Sequence, residues 1–458
     1  MAQWHKHQKG DFMGFNFENA YVKENMYKGF FGIEKESLRI DENGYLSHTS
    51  HPFLNNPNID RDFCENQVEI VTNVCNSPDT VYDELSALHK KVVRELSVLE
   101  TGKELLWQFS NPPFVKGDGD IPIASYYGKL KNKEIYREYL AEKYGKKKML
   151  FSGIHFNFSF DDELIEYVFE NSDYNSFGEF KNDLYLELAK KITKYSWLVV
   201  YLTAASPVMD GSFLDDLAIG KDVITPFSSA RCSKIGYWNN FIPTLKYGSL
   251  KEYTDSINSY VCSGKLRSVS ELYYPIRLKP KGENSLENLA DTGVNHIELR
   301  TLDLNPLSEV GIMKEDIKFL HILILYLMSI DDFEFVEEEQ VAAVKNVMSA
   351  AQFDDENNFV DISGEIISLR VAAEREISKM EEFFLQQNEQ YALEVIEYQK
   401  KKIQNKNYRY AEIVKEKFGT DYVNKGIESA KKYADFIDEE GDVECAKFLQ
   451  QTCIKNNR

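Results

Sequence analysis

The sequence predicts an α+β fold: a mainly antiparallel sheet with helices packed outside it, then a helical C-terminal region. Three observations carry this reading. Runs with period-two alternation recur at 31–40, 64–72, 151–160 and 295–305. An Asn43-Gly44 turn follows the first run, so that strand reads as half of a hairpin, antiparallel to its neighbour. Amphipathic stretches with helical period stand between the strands and fill the chain beyond Pro306.

In chain order, the first strand, FGIEKESLRI, sets Glu34 and Glu36 on one face. Like charges side by side are kept because the face is solvated, because each acid has a base, or because a divalent cation sits between them. Next, IDRDFCENQVEIVT carries Asp62, Glu65 and Glu69, with 64–72 alternating so that Glu65, Gln67 and Glu69 share a face. Asn76-Ser-Pro-Asp opens an amphipathic helix over about 80–99, with Leu85, Leu88, Val92, Leu96 and Leu99 on one side to cover the sheet. The Pro- and Gly-rich segment 111–128 reads as a long loop at a site mouth, and 133–144 as a helix bearing Tyr136, Arg137 and Leu140.

The cleanest alternation is FSGIHFNFSF, 151–160: His155, Asn157 and Ser159 on one face, Phe156, Phe158 and Phe160 on the other. A lone histidine of this kind is more often structural than a ligand. A helical region ends in SWLVVYLTAASP before Pro207, a loop over 228–240 offers Arg231, Tyr237 and Trp238, and a helix over 250–263 leads to ELYYPIRLKP with Tyr273 and Arg277. On the last informative strand, NHIELRTLDLN, His296, Glu298, Arg300 and Leu302 alternate with Ile297, Leu299 and Thr301. Glu298 and Arg300 either pair with each other or divide labour, one on a metal and one on a phosphate. Beyond Pro306 the charges read as solvated helix faces, including the periodic stretch 366–384, and no chemistry is evident there.

Composition narrows the function. Lysine and arginine number 54 against 74 acids, a formal charge of −20, which argues against nucleic acid or an anionic membrane as partner. Six cysteines without a CxxC pair suggest neither zinc nor a disulfide framework, and a reducing, cytoplasmic setting fits best. The N-terminus lacks a signal-type apolar segment, and His5 with His7 reads as a polar tail. The apolar run 319–330 is too short to span a bilayer and reads as a core helix, with His321 packed inside it.

Collected, the strands offer Glu34, Glu36, Asp62, Glu69, His155 and Glu298, with Arg231, Arg277 and Arg300 among them. An oxygen-rich set with one imidazole suits Mg²⁺, with Mn²⁺ as its substitute, and such metals beside arginines are the apparatus of phosphoryl transfer from ATP. GxxxxGK[ST] and GxGxxG are both absent, so nucleotide would be gripped through its metals.

The runs GIEKESLRI, DFCENQVEIVT, IYREYLAEKYG, FSGIHFNFS, SWLVVYLTAASP, ELYYPIR and HIELRTLDLNP, in that order, resemble those of bacterial glutamate–cysteine ligase (γ-glutamylcysteine synthetase). The resemblance implies a sheet curved into a funnel of glutamine synthetase type, with residues 1–29 as an extension, 30–310 as catalytic core and 311–458 as helices packed on it in one domain. It implies that Glu34, Glu36, Asp62, Glu69, His155 and Glu298 are magnesium ligands, that Arg300 supports phosphoryl transfer with Arg277 on the nucleotide side, and that Arg231 and Asn157 meet glutamate. Phe63, Tyr136, Leu140, Tyr237 and Tyr273 match the cysteine pocket. The substrates would be L-glutamate, L-cysteine and ATP, joined through γ-glutamyl phosphate. The chain has no room for a fused glutathione synthetase, so a separate one would use the product. Two alternatives stand beside this: a γ-glutamyl ligase for another amine, and an inactive homologue that binds nucleotide or amino acid.

Overall fold

The computed structural model describes residues 14–440; the readings made of His5, His7, Cys445 and Cys453 lie outside the described residues. The strands are β1 Gly29–Ile40, β2 Ile59–Arg61, β3 Gln67–Val71, β4 Leu105–Leu106, β5 Gly153–Phe160, β6 Val208–Asp210, β7 Asp222–Ile224, β8 Ile276–Lys279, β9 His296–Asp303, β10 Phe359–Ile362 and β11 Glu365–Ser368. The main sheet runs β2-β3-β1-β5-β9-β8, with β4 paired to the end of β1. Every neighbouring pair in it is antiparallel, in keeping with the mainly antiparallel sheet expected from sequence.

The alternation of β5 works as a sorting device. Phe156, Phe158 and Phe160 are buried on the back face with Phe31 and Ile33 of β1 and Ile297 and Leu299 of β9. Against them pack Val81, Leu85, Val92 and Leu96 of the helix Pro78–Ser97, which Ser77 caps through the Thr80 amide. The helices Phe177–Thr203 and Lys314–Leu327 share that core, and each large apolar side chain buried there contributes about 1.5–3 kcal/mol. His321 lies inside it, 1% exposed, as expected of the apolar run that carries it. Buried residues of the later helices Leu369–Gln387 and Gln390–Gln404, among them Ile377, Phe384 and Ile396, join the same core.

Four local expectations are corrected. The Asn43-Gly44 turn forms, but pairing beyond it stops at a single Ile40–Leu46 bridge, because β3 takes that edge of β1 from there on, with Arg39 N donating to Asn66 O at 2.7 Å and Leu38 paired with Gln67; β1 has β3 and β5 as its neighbours instead. Glu65 does not share a face with Glu69. The chain reverses between β2 and β3, with Gln67 N on Cys64 O at 3.0 Å, and Glu65 sits in that turn, 2.9 Å from Arg61. Leu302 leaves the face of Glu298 and Arg300 for the core: β5 and β9 pair Phe156 with Leu299 but Ile154 with Leu302, so Arg300 and Thr301 together oppose His155. A β-bulge of this kind inverts the alternation beyond it. Finally, Ile366 is in β11, not a helix; β10 and β11 form a hairpin around Ser363 and Gly364, both with positive φ, and the helix starts at Leu369.

Candidate active site

The site is built on the face of the sheet opposite the phenylalanines. In β1, Glu34 and Glu36 project there; across the ladders Glu36 faces Glu69 of β3, and Glu34 faces His155 of β5. Glu298 of β9 lies opposite Asn157 on one side and Arg277 of β8 on the other. Short distances follow from this register. His155 Nδ1 is 3.1 Å from Glu34 Oε2 and 3.3 Å from Glu298 Oε1, and its Nε2 is 3.7 Å from Glu36 Oε1. Arg300 Nη1 donates to Glu298 Oε1 at 2.5 Å, and Lys279 Nζ stands 3.1 Å from Glu298 Oε2. Asn157 donates to Glu34 Oε1 at 3.1 Å, and the Gly153 amide to Glu36 Oε2 at 2.8 Å.

Charge is balanced on one half of this cluster and short of cations on the other. Burial would raise the Glu298 carboxyl, but the positive charges of Arg300, Lys279 and Arg277 hold it well below the carboxylate range. Glu36 is pushed up to about 8 by burial and by the charge of Asp62, with Arg231 and Arg300 opposing. Glu69 is raised well above its ordinary value by burial and by Asp62, Glu34 and Glu36. Burial, followed by Arg300, depresses His155 and keeps the imidazole neutral.

The residues present fit a divalent cation. Glu34, His155 and Glu298 bring ligand atoms within 4.8 Å of one another. Two carboxylates at Nδ1 assign the proton there, which leaves Nε2, without a hydrogen bond among the described residues, with its lone pair toward Glu36. Buried acids that resist ionising for lack of a counter-charge complete a hard, oxygen-rich donor set.

A cavity of about 310 Å³ opens on this cluster. Glu34, Glu36, Asp62, Glu69, His155, Glu298 and Arg300 line it, and so do Phe63, Tyr136, Leu140, Arg231, Tyr237, Tyr273 and Arg277. Asn157 stands behind Glu34, outside the lining. The Tyr237 hydroxyl donates to that of Tyr273 at 2.9 Å, with the rings 4.1 Å apart. Arg277 commits much of its guanidinium to the carbonyls of Ser270 and Leu272. Arg137, named on its helix from sequence but given no role there, also lines the cavity, as do Lys279, Lys133, Met149, Phe151 and Ser270, which were not singled out from sequence. For Lys279 the signal was there, two residues after Arg277 on the same strand. A larger cleft of about 660 Å³, lined among others by Glu187, Tyr260 and Phe333, holds none of these groups.

A family model described as glutamate-cysteine ligase matches residues 16–266 and 262–350. The chain belongs to the glutamate-cysteine ligase family. Glutathione biosynthesis bifunctional proteins of Listeria welshimeri and Clostridium perfringens are each 36% identical to it, over 433 and 438 residues, covering 91% of this chain and 55% of theirs. The chain thus spans about half the length of these curated relatives. A crystal structure of a bifunctional glutathione synthetase from Pasteurella multocida matches with a TM-score of 0.78 and 28% identity, over 93% of this chain and 55% of that one. A glutamate-cysteine ligase from Francisella tularensis, solved with AMP, matches with a TM-score of 0.81 over 93% of this chain and 92% of that one; at 24% identity it speaks to the fold alone. No described helix of this family member is long and apolar enough to cross a membrane.

Proposed function

We propose that the chain joins the γ-carboxylate of L-glutamate to the amine of L-cysteine at the expense of ATP, releasing ADP and phosphate and giving γ-glutamylcysteine, in the cytoplasm. The observation that carries this is a cavity in which the acid cluster with its imidazole, the arginines and the aromatic wall meet, in a chain of this family. The sheet face bearing the cluster is read as one wall of a funnel of glutamine synthetase type. Residues 30–310 are read as the catalytic core, with the later helices as its support. The relatives are named as bifunctional and are longer, so ligation alone is assigned to these residues.

Glu34, Glu36, Asp62, Glu69, His155 and Glu298 would hold Mg²⁺ or Mn²⁺, which when bound supplies the positive charge that lets a carboxylate and a triphosphate approach. An oxygen of the γ-carboxylate attacks the γ-phosphorus of ATP, and the bond to the bridging oxygen breaks as ADP leaves. Arg300, gripped by Glu298, is a rigid planar cation beside the position where charge develops on the transferred phosphoryl group. Arg231, 9% exposed and tied to the Arg300 carbonyl at 2.9 Å, is placed for an anionic group of glutamate. Phe63, Tyr136, Leu140, Tyr237 and Tyr273 enclose the acceptor, whose amine attacks the acyl carbon and expels phosphate. Holding the partners in line supplies most of what such a reaction requires, and no covalent enzyme nucleophile is called for.

The test is a panel of amines given to purified protein with ATP, Mg²⁺ and glutamate, read by ADP release and by mass analysis of products. Cysteine should be used fastest; a faster polyamine or other amino acid would replace the acceptor, and an inert protein would overturn the reading.

A further inference from the structure

We propose that Glu271, which lies outside the cavity lining, is the positioning residue that sets the shape of the acceptor pocket. The inference rests on the ligase reading and deepens its acceptor side. Glu271 is fully buried, and its carboxylate gathers groups from separate segments. From the helix Lys131–Tyr144 it receives Lys143 Nζ at 2.5 Å and the hydroxyls of Tyr144 at 2.7 Å and Tyr139 at 3.4 Å. From its own loop it receives the Arg267 amide at 2.6 Å. Its carbonyl accepts from Asn239 Nδ2 at 2.7 Å, and Asn239 also reaches the Tyr144 hydroxyl at 3.0 Å and accepts from the Tyr273 amide at 2.9 Å.

These are the segments that carry the aromatic wall. Tyr136 and Leu140 ride on the helix that Glu271 holds, Tyr237 on the loop that Asn239 holds, and Tyr273 is the second residue after Glu271. Tyr144 completes the circuit by packing edge-on against Tyr273, ring centres 5.4 Å apart. A carboxylate in a dry interior with a charged partner and several donors is fixed in place, and whatever hangs from those donors is fixed with it. The cluster of Glu34, Glu298 and Arg300 stands on β1 and β9 and makes none of these bonds; Arg277 does reach this loop, through the backbone carbonyls of Ser270 and Leu272 and not through the Glu271 carboxylate. Loss of that carboxylate should therefore loosen the acceptor wall and leave the phosphoryl-transfer side in place.

The experiment compares Glu271→Gln and Tyr144→Phe with wild type in separate titrations of cysteine, glutamate and ATP. Glu271→Gln should raise KM for cysteine about tenfold and Tyr144→Phe about threefold, while KM for glutamate and ATP stays within about twofold. A folded variant with an unchanged KM for cysteine, or one in which all three KM values rise together, overturns the proposal; if Glu271→Gln does not fold, Tyr144→Phe decides. Cysteine binding is also followed by protein fluorescence without turnover. A wild-type protein that neither ligates nor binds cysteine removes the ligase reading and this inference with it. Wild-type ligation with no acceptor-specific loss in the variants removes the inference alone.

Discussion

The guanidinium of Arg231 occupies the space that a β-carbon on Gly153 would fill. The same glycine donates its amide to Glu36, so one residue without a side chain sets the distance between an acid of the cluster and the arginine placed for glutamate. Gly153→Ala should leave the melting temperature nearly unchanged, because a flexible arginine end can swing away. The same swing should raise KM for glutamate at least tenfold, a loss of about 1.4 kcal/mol or more. Steady-state kinetics with glutamate varied, beside a thermal melt, checks both halves. Full activity in the variant would free Arg231 from its assigned role.

Glu298 holds Arg300 at 2.5 Å and Lys279 at 3.1 Å, so neutralising it leaves two cations facing each other without their acid. Glu298→Gln should abolish turnover and weaken Mn²⁺ binding, with part of the rate recovered at high Mg²⁺. Arg300→Lys should bind nucleotide nearly as wild type but lose on the order of 100-fold in kcat, since a point charge cannot replace the planar fork. Nucleotide titration by calorimetry separates binding from rate; normal turnover in either variant would cancel the corresponding role.

Lys279 provides a sign test of the charge balance. Its ammonium sits beside an oxygen of Glu298, where it competes with any incoming cation and attracts any incoming phosphate. Lys279→Met should therefore tighten binding of free Mn²⁺ and weaken binding of metal-bound ADP, each by about tenfold. Spin-resonance titration of Mn²⁺ and calorimetry of ADP read the two changes separately. If both stay put, Lys279 is a bystander at the cavity wall.

Alternation in the sequence was enough to place Glu34, Glu36, His155 and Glu298 on faces that the folded sheet brings together, because a side chain's face depends on two-residue periodicity alone. Register is another matter. The bulge that sets Arg300 and Thr301 against His155, and sends Leu302 into the core, depends on how two strands slide past each other. Neither strand records that by itself. The turn that turns Glu65 away from Glu69 was hidden for the same reason, since the two arms of a hairpin read as one continuous alternating run. The acceptor wall is harder still: Tyr136, Tyr237 and Tyr273 come from segments about 100 and 36 residues apart, joined through Glu271 and Asn239, which carry no local pattern. For those residues the family resemblance, and not periodicity, supplied the candidates.

His321 offers a measure of the core that is independent of catalysis. Its ring lies 4.9 Å from that of Phe31 and 5.4 Å from that of Phe158, and its Nε2 has no hydrogen bond among the described residues. Burial holds its pKa down to about 3. An unfolded histidine titrates near ~6.5, so between those values the unfolded chain binds the extra proton and the folded one does not. The stability tied to a neutral His321 is fully present above that unfolded value and is lost as pH falls toward the folded one. Between pH ~7 and ~4 this group alone should cost about 3 kcal/mol. His321→Leu fills a similar space and removes the unpartnered nitrogen, so it should be at least as stable as wild type at neutral pH. Denaturant unfolding across the acid range should show the variant losing less stability than wild type by about that amount. Parallel curves would mean that the buried imidazole finds a proton, and a partner for it, inside the core.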